Sequence, residues 1–154
     1  MPTVEEDVAF GPMNMKLPKE EVERRVYKAL TAVGSINLRK RASSQLSGGQ
    51  KRSVAIATVL SMEPDILVMD EPSSNLDPTA RRQMMDIVKS FTHTCLIATH
   101  DLEMAWELCD RTLVMKEGKI IAFGNTKEIF NDVQLLQEAG LEQPYHAILY
   151  NRSK

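Results

Sequence analysis

The sequence predicts an α/β fold: a small helical segment followed by a mostly parallel sheet. Three observations predict it. Residues 66–69 and 94–98 are apolar runs of strand length. Windows of helical spacing lie between and after them. The first 45 residues carry helical patterning and no strand run.

Thr3 with Glu6 has the form of a capping box and opens a short helix, which Gly11-Pro12 is expected to end. Pro18 sits where a second helix can begin. Val22, Val26, Ala29, Leu30 and Val33 follow at helical spacing, with Glu and Arg opposite. That helix ends near Gly34, and residues 35–45 read as a polar, basic loop. Ser47 is a good N-cap for a helix to about Met62. Pro64-Asp65 marks a turn. Ile66-Leu67-Val68-Met69 is apolar throughout, as expected of a strand covered on both faces, and it ends in Asp70-Glu71. Asp77-Pro78 caps a helix to about Ser90, and Thr94 to Ala98 is a second buried strand. Asp101 to Leu108 reads as a helix. Thr112–Met115 and Ile120–Phe123 form a hairpin turning at Gly118. Thr126–Phe130 starts a helix, and another covers about 132–139. Strand and helix alternate through the middle, which implies a layered sheet with right-handed crossovers.

Composition narrows the function. The formal charge is −2, from 19 basic and 21 acidic residues. No Lys/Arg stripe is available to neutralise a nucleic-acid backbone, so nucleic acid is not an expected partner. The densest basic run, Arg39-Lys40-Arg41, reads as a solvated loop. No apolar run approaches the roughly 20 residues needed to cross a bilayer, and no signal-peptide pattern opens the chain. Cys95 and Cys109 form no CxxC pair and read as reduced core or near-core residues.

Four motifs carry chemistry. Leu46-Ser47-Gly48-Gly49-Gln50 lies at a predicted helix N-terminus, where free N–H groups and the helix dipole favour an anion. Its glycines let backbone approach a phosphate, and Ser47 adds a hydroxyl. A given five-residue string has a chance expectation on the order of 10⁻⁴ in a chain of this size. Asp70-Glu71 ends a strand at the sheet edge where α/β folds place ligands. The first acid suits Mg²⁺, usually through water. The second suits orienting and deprotonating a water. Ser73-Ser74-Asn75-Leu76-Asp77-Pro78 is, by itself, a turn with a helix cap. His100 ends the next strand and projects from the same sheet edge, where it can donate to a phosphate and to the water's base.

In this order and spacing, LSGGQ, the apolar strand ending in Asp-Glu, SxxLD and Thr99-His100-Asp101 resemble the ATP-binding-cassette (ABC) family closely. There they are the signature motif, Walker B, the D-loop and the switch histidine. The stretch Thr3–Pro12 resembles the segment after the Q-loop in the cobalt, nickel and vitamin branch, the energy-coupling-factor ATPases. Glu117–Gly124 and Gly140–Pro144 are similar to that branch too. The family's phosphate loop, GxxxxGK[ST], matches no stretch here, and the Q-loop glutamine is absent. The expectation is therefore the C-terminal part of a P-loop NTPase cassette, truncated or split ahead of its first residue.

The resemblance implies an ATP-hydrolysing subunit of an importer, working with ATP and Mg²⁺. Its implied partners are a second cassette, a transmembrane subunit and a separate N-terminal P-loop fragment. It implies a cytoplasmic location, peripheral on the inner face of the cell membrane. It casts Glu71 and His100 as catalytic, Leu46, Ser47, Gly48, Gly49, Gln50 and Asp77 as nucleotide-binding, and Asp70 as the metal ligand. It divides the chain into a helical subdomain remnant (1–45), a signature helix with sheet core (46–125) and a C-terminal helical extension (126–154). Without a phosphate loop the chain alone is expected to be inactive. The alternative is a non-hydrolysing fragment or subunit that donates LSGGQ to a partner cassette.

Overall fold

The structure is a computed structural model and describes residues 3–74 and 76–152. In chain order its elements are α1 (Val4–Asn14), α2 (Lys19–Ala32), α3 (Gly48–Leu60), β1 (Ile66–Asp70), α4 (Pro78–Ser90), β2 (Thr94–Ala98), α5 (Leu102–Leu108), β3 (Arg111–Lys116), β4 (Lys119–Asn125), α6 (Thr126–Asn131), α7 (Val133–Ala139) and α8 (Tyr145–Arg152). Two 3₁₀ turns, Ile36–Leu38 and Ser43–Gln45, lie in the expected loop between α2 and α3. The chain divides into two compact units. One runs to Val68 and takes in Ser73–Leu96; the other comprises Met69–Pro72 and the chain from Ile97 onward.

In the first unit, α1, α2 and α3 share one core, in which Val4, Val8, Leu30 and Ala57 are fully buried. The capping box forms as its sequence dictates: Glu6 accepts from the Thr3 N–H at 2.7 Å. The basic run is engaged locally. Arg39 donates to Glu5 at 2.9 Å, Lys40 pairs with the same carboxylate, and the Lys40 bond above all holds Glu5 below the usual carboxylate range.

Contrary to expectation, Gly11-Pro12 does not end α1, which continues to Asn14 with Pro12 buried inside it. A proline inside a helix leaves the carbonyl four residues back without its N–H donor. Here that carbonyl belongs to Val8, and the buried Ser61 hydroxyl lies 2.9 Å from it. A side chain from the end of α3 thus supplies the bond the proline removes.

β1 and β2 are hydrogen-bonded neighbours. The Glu71 N–H, just past β1, donates to the Ala98 carbonyl at the end of β2 at 2.8 Å. The two C-terminal ends therefore lie side by side, as parallel strands joined by a helical crossover require. The strands are not buried as expected. Leu67 is 4 % exposed, but Ile66, Val68 and Leu96 are 61, 66 and 60 % exposed. Strand side chains alternate between faces, and no described element covers the second face.

In the second unit, β3 and β4 pair antiparallel, with an irregularity between Val114 and Met115. Leu113 lies opposite Phe123, and Met115 opposite Ile120, all exposed. The other face, with Val114 and Ala122, packs into a core with Trp106, Ile129, Phe130 and Leu136. The final helix, α8, lies within the expected helical extension, although no separate element is read there from the sequence.

Candidate nucleotide-handling site

The first unit holds Leu46–Gln50 and Asp77; the second holds Asp70, Glu71 and His100.

Leu46 is buried in the first unit's core and anchors the loop. Ser47 caps α3, and Gln50 closes a second capping box: its side chain accepts from the Ser47 N–H at 3.0 Å, and the Ser47 hydroxyl accepts from the Gln50 N–H at 3.3 Å. The N–H groups of Gly48 and Gly49 lie in the first turn, where a helix offers no internal acceptor. A Cβ at Gly48 would meet nothing within 4 Å; one at Gly49 would meet the Ala80 methyl at an ordinary 3.7 Å. The glycines are thus not demanded by packing, and they leave two backbone donors open to close approach. Arg52, one turn on, donates to the Ser74 carbonyl.

Asp77 is placed as a helix cap. One carboxylate oxygen accepts from the Thr79 and Ala80 N–H groups, each at 2.9 Å, and Pro78 occupies the first turn of α4. The second oxygen is left to face another group. Asn75, in the same motif, lies outside the described residues.

The second unit builds a tight carboxylate cluster. Glu71 follows β1 at φ 45°, a left-handed conformation that disfavours a side-chain-bearing residue and often marks a functional turn. One oxygen accepts from the His100 backbone N–H at 3.0 Å and lies 2.8 Å from the His100 ring Nδ1. The other accepts from the Thr99 hydroxyl at 3.1 Å, which in turn accepts from the Asp101 N–H at 3.0 Å. Hydrogen bonding from the His100 ring, foremost, and from Thr99 outweighs burial and holds Glu71 below the usual carboxylate range. Thr99 received no role of its own in the sequence reading, yet it ties Glu71 to the start of α5. Its signal was its place in the Thr-His-Asp string.

The chemistry follows from proton counting. Glu71 is a carboxylate, so the His100 Nδ1 must carry the proton between them. A neutral imidazole then presents Nε2 as an acceptor. To donate to a phosphate as well, the His100 ring, 82 % exposed, must take a second proton. A carboxylate held low and engaged at both oxygens is a weak proton acceptor but a firm positioning group. Asp70 ends β1 and is exposed. No group of three or more metal-ligating side chains occurs among the described residues. A single exposed carboxylate such as Asp70 would hold Mg²⁺ only together with waters and nucleotide phosphates.

The fold and these clusters are those of an α/β cassette. Comparison with known proteins agrees. The ABC transporter family model matches residues 2–74. An ABC transporter ATP-binding protein of Geobacter sulfurreducens is 56% identical, covering 94% of this chain and 58% of the relative. The energy-coupling factor transporter ATP-binding protein EcfA of Methanocaldococcus jannaschii is 45% identical, covering 93% of this chain and 52% of the relative. Among solved structures, cbiO1 of Clostridium perfringens, part of the ABC transporter complex cbiONQ, superposes with a TM-score of 0.77 at 40% identity, covering 97% of this chain and 61% of that one. An ABC transporter in an inward-facing conformation, 24% identical, shares the fold with a TM-score of 0.80, over 90% of this chain and 58% of that one. The chain belongs with the ATP-binding proteins of the ABC transporter family. It spans about half the length of the curated relatives it matches. No helix among the described residues is long and apolar enough to cross a membrane.

Proposed function

We propose that the chain is the signature and Walker B portion of the ATP-hydrolysing subunit of an energy-coupling-factor type importer. The observation that carries this is the Glu71–Thr99–His100 cluster, together with a signature loop whose two glycine amides are open. In this reading Asp70 holds Mg²⁺ through water. Glu71 orients the attacking water, and protonated His100 steadies both Glu71 and the terminal phosphate. Leu46–Gln50 and Asp77 act on a nucleotide whose phosphates are cradled elsewhere, by a second cassette. No stretch of this chain has the form GxxxxGK[ST], so its own Glu71 and His100 need a P-loop segment supplied to them. The uncovered apolar faces, with Ile66, Val68 and Leu96 on one sheet and Leu113 and Phe123 on the other, are where such a segment would pack.

The names of relatives support the branch: EcfA proteins and a cbiONQ component match over nearly the whole chain. In this reading the subunit lies on the cytoplasmic face of a membrane, against a transmembrane partner. We read residues 1–45 as a helical subdomain, 46–125 as signature helix and sheet core, and 126–154 as an extension. A second reading, a non-hydrolysing donor of LSGGQ, is favoured by the engaged state of Glu71. The test is reconstitution. Mixed with a polypeptide carrying the family's phosphate loop and Q-loop, the chain should hydrolyse Mg-ATP, and Glu71→Gln should stop turnover while nucleotide stays bound. Association without hydrolysis would select the donor reading, and neither would refute both.

A further inference from the structure

We propose that α8 is a releasable strap, held onto α5 by the Glu103 carboxylate, and that its release uncovers the Trp106 face of the second unit. Three donors from the start of α8 converge on this one side chain, more than 40 positions earlier in the chain. The Tyr145 N–H donates to one oxygen. The His146 N–H donates to the other at 3.4 Å, and the His146 ring Nδ1 contacts that same oxygen. Glu103 is therefore the N-terminal cap of α8, supplied from another element. The eight residues of α8 are too few to form a stable helix alone in water.

Ala147 is the one buried side chain of α8 among the described residues, while Tyr145, Leu149 and Tyr150 are 63, 42 and 45 % exposed. Tyr150 meets Trp106 edge-on at 6.0 Å, and Asn151 donates to Asn131 at 2.8 Å. Beneath the strap, Trp106 stacks on Phe130 at 6.4 Å, with the Lys127 ammonium 3.6 Å from the indole centre. Undocking α8 would bare an aromatic surface flanked by a cation.

The polar nature of the clasp makes it sensitive to acid. Burial pushes the Glu103 carboxyl up, but the His146 ring and the two amides outweigh it and hold it below the usual carboxylate range. Once α8 leaves, these donors are gone and the carboxyl returns towards its ordinary value. Docking is therefore fully present above that ordinary value and fades as pH falls through the lower, docked one. The charged groups on the elements packed against α5 are His146 and Arg152 of α8 and Lys127 and Glu128 of α6; Glu107 follows on α5 itself. Lys127 is committed to the Trp106 ring and carbonyl.

Trp106 is the chain's single tryptophan, so its emission reports the strap directly. In the full chain at neutral pH, Glu103→Gln should red-shift Trp106 emission and raise its quenching by acrylamide, with far-UV circular dichroism retained. Amide exchange at Tyr145 and His146 should quicken by about tenfold or more, as local opening predicts. His146→Ala, which leaves both capping amides, should do the same more weakly. If Glu103→Gln fails to fold, acid titration of the unsubstituted chain decides: the Trp106 change should precede any loss of ellipticity. An unchanged Trp106 environment and unchanged amide protection in a folded Glu103→Gln chain would overturn the strap. So would a Trp106 transition that coincides with global unfolding.

Discussion

Ser61 offers a sharp test of how this fold tolerates its own sequence. Pro12 sits inside α1, so the Val8 carbonyl receives no N–H from position 12, and the Ser61 hydroxyl stands 2.9 Å from it. Both Ser61 and Val8 are buried, at 1 and 0 % exposure, so water cannot replace the bond. Ser61→Ala leaves a buried acceptor unsatisfied, a loss of about 1–3 kcal/mol. For a domain of this size each kcal/mol lowers Tm by about 2–4 °C. The same hydroxyl also reaches the Thr58 carbonyl at 2.9 Å, so part of the loss is independent of the proline. The decisive measurement is a double-mutant cycle by thermal or urea unfolding. Pro12→Ala restores an N–H for Val8, so Ser61→Ala should cost about 1 kcal/mol less in that background than in the native one. Additivity within about 0.3–0.5 kcal/mol, the spread typical of independent sites, would refute the substitution of serine for the missing helix bond.

Five further outcomes are expected. Gly48→Ala should leave Tm unchanged or raise it, because Ala is the better helix former by up to about 1 kcal/mol and its methyl meets nothing within 4 Å; it should nonetheless weaken ATP-dependent association with an intact cassette, read by light scattering. Gly49→Arg should abolish that association by occlusion, and equal association of both variants and the native chain would remove the loop from nucleotide contact. Asp77→Ala loses two capping bonds and should lower stability by about 1 kcal/mol in urea unfolding. In a reconstituted cassette, Glu71→Gln should reduce turnover by about 10²–10⁴. The depressed Glu71 carboxyl predicts that its contacts to His100 and Thr99 hold above the ordinary carboxylate pKa and fail as pH falls through the lower, folded value. The His100 ring signals in a nuclear magnetic resonance titration should report that transition, and ring signals insensitive to Glu71→Gln would contradict the pairing.

Much of this was legible because local rules and tertiary demands agree. Ser47 and Asp77 are helix caps in the sequence and in the structure. The positions Val22, Ala29, Leu30 and Val33 were readable as one face of a helix and are buried together. What was not legible depends on distant partners. Pro12 reads as a helix end unless Ser61 is known to complete the bond. α8 has no capping side chain of its own before Tyr145; its cap is Glu103, far upstream. The apolar strands read as covered on both faces, because sequence records what a strand is suited to meet, not whether the described chain supplies it. At the candidate site, Asp70, Glu71 and His100 were visible from type and spacing. The left-handed turn at Glu71 and the role of Thr99 were not, since neither leaves a periodic signal.

In the proposed reading, this chain presents signature and Walker B chemistry to a nucleotide it does not hold by itself. Calorimetric titration of the purified chain with Mg-ATP tests that most directly. The absence of any GxxxxGK[ST] stretch removes the amide nest and lysine that supply most phosphate recognition. No saturable heat should appear at ATP concentrations up to about 1 mM, the weak end of the affinity scale. Saturable binding with a Kd of about 1 µM would correspond to roughly −8 kcal/mol and would contradict the account.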